Sequence, residues 1–201
     1  IAPDYTTVDV IEGLRHMGIP TVVVPTGTTV ESVIKNVTDI AHIVGEDEKG
    51  QFYEQKIRRE LEKMKRLGTS IPLNQRKSVL FVSSMDGYTG TGSLFDDMCK
   101  YMSIYNAPDL LGLPSRTPFG DERVLAMDPD YIFIPSYKEM DKSLSSRYLD
   151  NPAFQNLPAI RENRVKALPA AYLYTMNQHI GEAMLAIMHT VYPQLERNSH
   201  D

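Results

Sequence analysis

The stretch from Glu46 to Leu67, "EDEKGQFYEQKIRRELEKMKRL", decides how the rest of the chain is read. Tyr53, Ile57, Leu61, Met64 and Leu67 recur every third or fourth position, and most of the residues between them are charged. That spacing predicts one helix with a narrow apolar stripe. Glu54 with Arg58, and Glu62 with Arg66, stand at i,i+4, where opposite charges on a helix meet. At 1.5 Å per residue the helix would run roughly 33 Å, about the width of a small domain. Gly50 inside it costs about 1 kcal/mol relative to alanine, a weakness the other turns can carry. So long and so solvated a helix is suited to connect two bodies.

Both flanks read as α/β. Upstream, "IAPDY" looks like the end of a strand, "TTVDVIEGLRHMG" puts Val10, Ile11 and Leu14 at helical spacing, and "IPTVVVP" is a β-branched run between prolines. Thr28 followed by Glu31 reads as a capping box that starts a helix. Val30, Val33, Ile34, Val37, Ile40, Ala41 and Val44 then fill one face of it up to Gly45. Downstream, "GTSIPLNQRK" breaks the pattern, and a second unit begins near Lys77 with the apolar run "SVLFV". A glycine loop, a helix from Leu94, a helix at "DERVLAM" and the strand "YIFIP" follow. The loop-rich "YLDNPAFQNLPAIRENRVKALP" closes on a short strand at Val165, and the chain ends in the amphipathic "MNQHIGEAMLAIMHTVYP". Ile180, Met184, Ile187, Met188 and Val191 mark its buried face, where methionine serves as core filler.

Composition excludes several classes of function. The 201 residues carry 21 basic and 26 acidic side chains, a net charge of -5, and the densest basic run, "KIRRELEKMKR", is interleaved with acids, which argues against nucleic acid as a partner. No apolar run approaches the ~20 residues of a membrane-spanning helix, and neither an internal repeat nor a low-complexity tract is visible. The single cysteine, Cys99, falls in a predicted helix and reads as a buried thiol.

The glycine loop, "GYTGTGS" from Gly87 to Ser93, raises the question of a nucleotide. It lacks the lysine of a Walker loop, and it runs G-x-x-G-x-G where a dinucleotide fingerprint needs G-x-G-x-x-G. What remains is a loop that presents Tyr88, Thr89, Thr91 and backbone amides at the carboxyl end of a strand, where open α/β sheets bind ligands, or a loop that merely turns. Nucleophilic chemistry has little support: there is no G-x-S-x-G elbow, and Cys99 has no histidine near it in sequence. His16, His42, His179, His189 and His200 show no i,i+4 pair of the kind that holds a metal on a helix. Asp96/Asp97 and Asp128/Asp130 read as helix and turn residues rather than as an acid/base pair.

Three stretches resemble a known family. "DERVLAMDPDYIFIP" is similar to the second-lobe signature of the class III, helical-backbone substrate-binding proteins of ABC importers for iron-siderophores, haem and cobalamin. "NPAFQNLPAIRENRVKALP" resembles that family's approach to its closing helix, and "VVVPTGTTVESVIKNVTDIAHIVGEDEKGQ" its run into the interlobe helix. The resemblance implies two Rossmann-like α/β lobes joined by one long helix, with the first lobe incomplete because the family begins with further βα units. The expected division is 1–45 for the remainder of the first lobe, 46–68 for the interlobe helix, 69–172 for the second lobe, and 173–201 for a closing helix that packs back on the first.

By the same resemblance, Asp4 and Tyr5 face a ligand cleft from the first lobe. Tyr88, Thr89, Thr91, Ser136 and Tyr137 face it from the second, and Tyr172 and Tyr174 follow the final strand into it. Phenols suit that place because they stack on an apolar body and hydrogen-bond its rim. Glu122 matches the second-lobe acid that docks on arginines of the permease. The implied protein is not an enzyme and carries no cofactor or resident metal. It is a periplasmic or lipid-anchored receptor whose ligand is a ferric siderophore first, with haem or cobalamin as alternatives, and whose partner is an ABC permease. A neighbouring family binds bare zinc or manganese through a histidine that "SSMDGYTG" does not have, which favours a chelated ligand. Two other classes stay open at this point, a small nucleotide-binding enzyme and an interaction domain with an empty cleft.

Overall fold

The computed structural model describes residues 1–83, 89–118, 120–137 and 141–197, with backbone only at 141–144, 196 and 197. The chain runs β1 (Ala2–Pro3), α1 (Val8–His16), β2 (Val23–Val24), α2 (Val30–Ile43) and then α3 (Asp47–Thr69), the long helix expected from its stripe. Next come β3 (Ser78–Phe81), α4 (Leu94–Tyr101), β4 (Tyr105–Asn106), α5 (Ala107–Leu110), α6 (Asp121–Met127), β5 (Tyr131–Ser136) and α7 (Asp141–Leu149). The series closes with α8 (Pro158–Arg161), β6 (Val165–Pro169), α9 (Ala170–Leu173), α10 (Ile180–Val191) and α11 (Gln194–Arg197).

Among the described residues all strand pairs are parallel. The first lobe pairs β1 with β2, and the second orders its strands β4-β3-β5-β6. A parallel sheet needs helices on its faces, which makes its central strands continuous apolar runs. In β3 and β5, Val79, Phe81, Tyr131 and Phe133 face one core, while Leu80, Ile132 and Ile134 face another. This is the period-2 alternation of a strand buried on both sides. The first core continues through Ile57, Leu61 and Met64 of α3 into Val30, Val33 and Ile34 of α2, so one apolar body runs from lobe to lobe beneath the long helix.

Four expectations change in detail. The start of α2 is capped one residue later than expected: Thr29 accepts from the Ser32 amide while Ser32 Oγ accepts from the Thr29 amide, and Glu31 points instead to Arg58. Its apolar face is buried only over the first turns, since Ile40, Ile43 and Val44 are exposed. Of the two ion pairs expected on α3, Glu54–Arg58 forms at 2.9 Å, and Glu62–Arg66 is not among the ion pairs of the described residues. Gly50 is a close-approach site: a Cβ there would lie 2.7 Å from the Ala41 Cβ, so the missing side chain lets α2 and α3 meet.

Helix α10 lies on α3 and on the β3/β5 face, with Ile180, Met184, Ile187, Met188 and Val191 all buried in the first core, which also holds Val30, Val33 and Ile34 of the first lobe. The Tyr131 hydroxyl donates to the Val191 carbonyl at 3.2 Å, and Tyr192 Oη donates to the Ser103 carbonyl at 2.8 Å. Each fully buried aliphatic side chain of α10 is worth about 1.5–3 kcal/mol in transfer energy, and the second-lobe sheet and the long helix supply the apolar surface that receives it.

Candidate binding cleft

In parallel α/β sheets the carboxyl ends of the strands are where loops gather and ligands sit. Ser83 follows β3, Ser136 and Tyr137 end β5, and β6 ends at Pro169, paired with Ser136. Helix α9 then carries Tyr172, 38% exposed, and leads to Tyr174. Tyr174 Oη lies 3.1 Å from Ser83 Oγ, and its ring packs edge-on against Phe81 with centroids 5.2 Å apart. The phenol is thus held by an aromatic contact on one side and a hydroxyl on the other. Tyr137 is 45% exposed at the same edge.

In the first lobe, Asp4 follows β1 and its amide donates to the Val24 carbonyl at 3.1 Å. Thr26, just past β2, donates its hydroxyl to Asp4 Oδ1. That bond, with the neighbouring backbone amides, holds the Asp4 carboxyl below its ordinary value. Tyr5 projects beside it, 77% exposed. Tyr5 and Thr26 share with Met176 the lining of a cavity of about 270 Å³. Met176 is two residues beyond Tyr174, so the segment leaving the second lobe's last strand meets the strand ends of the first.

The glycine loop answers the nucleotide question. A Cβ on Gly90 would lie 2.7 Å from the Pro114 carbonyl oxygen and closer still to that of Leu113, and Gly92 sits at φ +81. These glycines serve a close approach and a left-handed turn, and Thr91 pairs its backbone with Leu113 and Ser115. Below them, buried Asp96 takes the place an anion would need. Its Oδ2 accepts from the Gly92 amide at 3.3 Å, its Oδ1 from Asn106 Nδ2 at 3.3 Å, and Lys100 pairs with it at 3.3 Å. A fixed carboxylate against these amides repels phosphate, and the helix start is already filled by Ser93, which accepts from the Asp96 amide at 3.1 Å.

Of the remaining candidates, Thr89 donates to the Phe81 carbonyl at 3.4 Å, and its own carbonyl accepts from Asn106 Nδ2 at 2.8 Å. The Thr91 hydroxyl donates to Asp109 at 2.6 Å and so helps tie two loops together. Tyr88 lies outside the described residues. Glu122 is exposed in the first turn of α6. Cys99 is buried, and burial pushes its thiol well above the usual value, so it is not a nucleophile. No group of three His, Cys, Asp or Glu among the described residues could hold a metal. His42 and His179 instead pair with Asp47 and Glu182, at 2.9 and 3.0 Å.

Sequence reasoning passed over Thr26, Ser83 and Met176, whose only signal was their place just beyond a strand or its following helix. It also passed over Asp97, whose Oδ2 accepts from the Val30 amide at 2.8 Å. This second-lobe side chain satisfies a free amide at the start of a first-lobe helix. Arg58 reinforces the junction by reaching Glu31 with both terminal nitrogens at 3.2 Å.

Two parallel α/β lobes, fastened by one long helix and meeting at their strand ends, define a two-lobed solute-binding receptor. The chain belongs to the periplasmic binding protein family, whose model matches residues 2–172. Among curated protein sequences none matches it. Among solved structures it is similar to the periplasmic haem-binding protein RhuT from Roseiflexus sp. RS-1 in apo form, with TM-score 0.83 and 20% identity over 96% of this chain and 74% of that one. It is also similar to a periplasmic haem-binding protein from Pseudomonas aeruginosa, with TM-score 0.80 and 17% identity over 96% and 71%. A third is the molybdate-binding protein MolA from Haemophilus influenzae, with TM-score 0.79 and 15% identity over 98% and 66%. Proteins of this family bind solutes and do not transform them, so the chain is a binding protein and not an enzyme. The family acts outside the cytoplasm, delivering small molecules to the permeases of ABC importers. Among the described residues no helix is long and apolar enough to cross a membrane.

Proposed function

We propose that this protein captures an iron chelate between its lobes and hands it to an ABC permease in the cytoplasmic membrane, and that the chelate is haem. The observation that carries this reading is the chemistry of the strand ends, which offer four phenols (Tyr5, Tyr137, Tyr172, Tyr174), hydroxyls and one carboxylate, Asp4. Aromatic rings suit the flat apolar body of a porphyrin, and a phenol oxygen is an established kind of haem-iron ligand. A ferric tricatecholate is a polyanion that would call for cations, and none stands among the described wall residues named above. Molybdate would call for a nest of free amides, and Asp96 already faces the amide of Gly92. Two of the proteins with similar structures are haem-binding proteins, which points the same way.

The test uses the chain's own reporters, since it has 11 tyrosines and no tryptophan. Tyrosine fluorescence is followed on addition of haemin, a ferric tricatecholate, a ferric trihydroxamate, cobalamin, molybdate and nucleotides. Saturable quenching by haemin alone supports the proposal. Quenching by a ferric siderophore alone replaces haem with that cargo, and a response only to nucleotides overturns the receptor reading. In the delivery step Glu122 pairs with permease arginines, so Glu122→Ala lowers haem-dependent stimulation of the transporter's ATPase while leaving haem binding intact.

A further inference from the structure

A second cavity, of about 530 Å³, lies along the flank where α3 meets the end of α4, and none of the proposed cleft residues lines it. The volume is that of a small-molecule site. Its wall brings together four cations, Arg58, Lys65, Arg76 and Lys100, against two acids, Glu31 and Glu62. In a chain with a net charge of -5 this is a local reversal of sign. Two of the cations are already matched: Arg58 with Glu31 and Glu54, and Lys100 with Asp96. Lys65 and Arg76 form no ion pair among the described residues, and Arg76 Nε is shielded from solvent with no acceptor. A shielded guanidinium N–H without an acceptor is costly, and an anionic oxygen would relieve it. Tyr101 and Thr69 complete the wall with a ring and a hydroxyl.

We infer that this groove binds a small anion bearing a carboxylate or phosphate group, held by Arg76 and Lys65. The planar fork of Arg76 takes two oxygens at once, and Lys65 contributes a mobile point charge from the rim. Glu62 is the opposing charge that keeps the affinity modest. This site is independent of the haem reading, because the two share no residue.

The test is an NMR titration of the isotope-labelled chain with citrate and, separately, with inorganic phosphate at constant ionic strength. The amides of Gly68, Thr69, Tyr101 and Ser103 are expected to shift and saturate. Saturation by citrate alone assigns a carboxylate ligand, and saturation by phosphate alone assigns a phosphate. Lys65→Gln, an exposed change that leaves the core untouched, and Arg76→Gln are each expected to weaken binding about tenfold, the effect of one charge-assisted hydrogen bond. Glu62→Gln is expected to tighten it. Failure of both probes to saturate at millimolar concentration, or equal binding by the wild-type and Lys65→Gln chains, overturns the inference.

Discussion

Gly181 offers a strict test of how the closing helix is seated. It sits in the first turn of α10, and a Cβ built on it would fall 2.9 Å from the Cβ and 3.0 Å from the Cδ of Glu60 on α3. The far end of Glu60 can swing away, but its Cβ moves only if α3 moves. Gly181→Ala is therefore an overpacking change between two helices, worth about 1–3 kcal/mol of destabilisation. The better helical propensity of alanine returns up to about 1 kcal/mol, and less than that in a first turn. A net loss of about 1–2 kcal/mol lowers the melting temperature of a chain this size by about 2–8 °C. The assay is thermal unfolding followed by circular dichroism, in the wild-type and in a Glu60→Gly background, which removes the Cβ itself. In the second background the obstruction is gone and Gly181→Ala is expected to be neutral or stabilising, a coupling that a double-mutant cycle reads directly. A raised melting temperature in the wild-type background, or the same loss in both, would refute the packing of α10 on α3.

Gly90→Ala meets the Leu113 and Pro114 carbonyls, which are backbone and cannot swing aside, so it is expected to cost about 1–3 kcal/mol by urea unfolding and to perturb the loop that leads into α4. Asp97→Ala leaves the Val30 amide without its partner; a loss of about 1 kcal/mol is expected, and hydrogen exchange at Val30 and its neighbours should quicken. Glu60 is half-buried with Oε2 unpartnered, and burial, reinforced by Glu182 and opposed by Lys56, His179 and Arg59, raises its pKa. The folded chain then binds this proton more tightly than the unfolded one, so Glu60's contribution to stability is greatest in acid. It falls as pH rises from the ordinary glutamate value through the raised one. Glu60→Gln is accordingly expected to raise the melting temperature at pH 7 and to have little effect near pH 4; a pH-independent effect would rule out the carboxylate as its cause.

How much of this was legible follows from where the information lies. The long helix, the two central strands and α10 were readable because burial imposes a period on their residues, as Ile57, Leu61 and Met64 or Ile180, Met184 and Ile187 show. Helix α7 was not, since "DKSLSSRYL" carries no strong stripe. Nor was β4, whose two residues pair with β3 through backbone alone. The cap of α2 was misplaced by one residue because Thr28 and Thr29 are chemically alike, and only the geometry shows which hydroxyl meets the Ser32 amide. In the site, Tyr174 was named from its place after the last strand, but its Ser83 partner stands 91 positions away. Asp97, read as a plain helix residue, proved to cap a helix of the other lobe 67 positions away. Local periodicity says nothing about such contacts, which topology alone creates.

The central claim is that the phenols at the strand ends receive haem. The most direct measurement is a haemin titration followed in the Soret region, for the wild-type chain and for Tyr5→Phe, whose phenol is the most exposed of those at the strand ends. The account predicts a saturable change for the wild type and a weaker complex for the variant, because the cleft loses a phenol oxygen while the ring remains. Absence of any saturable Soret change in the wild type, with saturable tyrosine quenching by a ferric siderophore or molybdate instead, would contradict it.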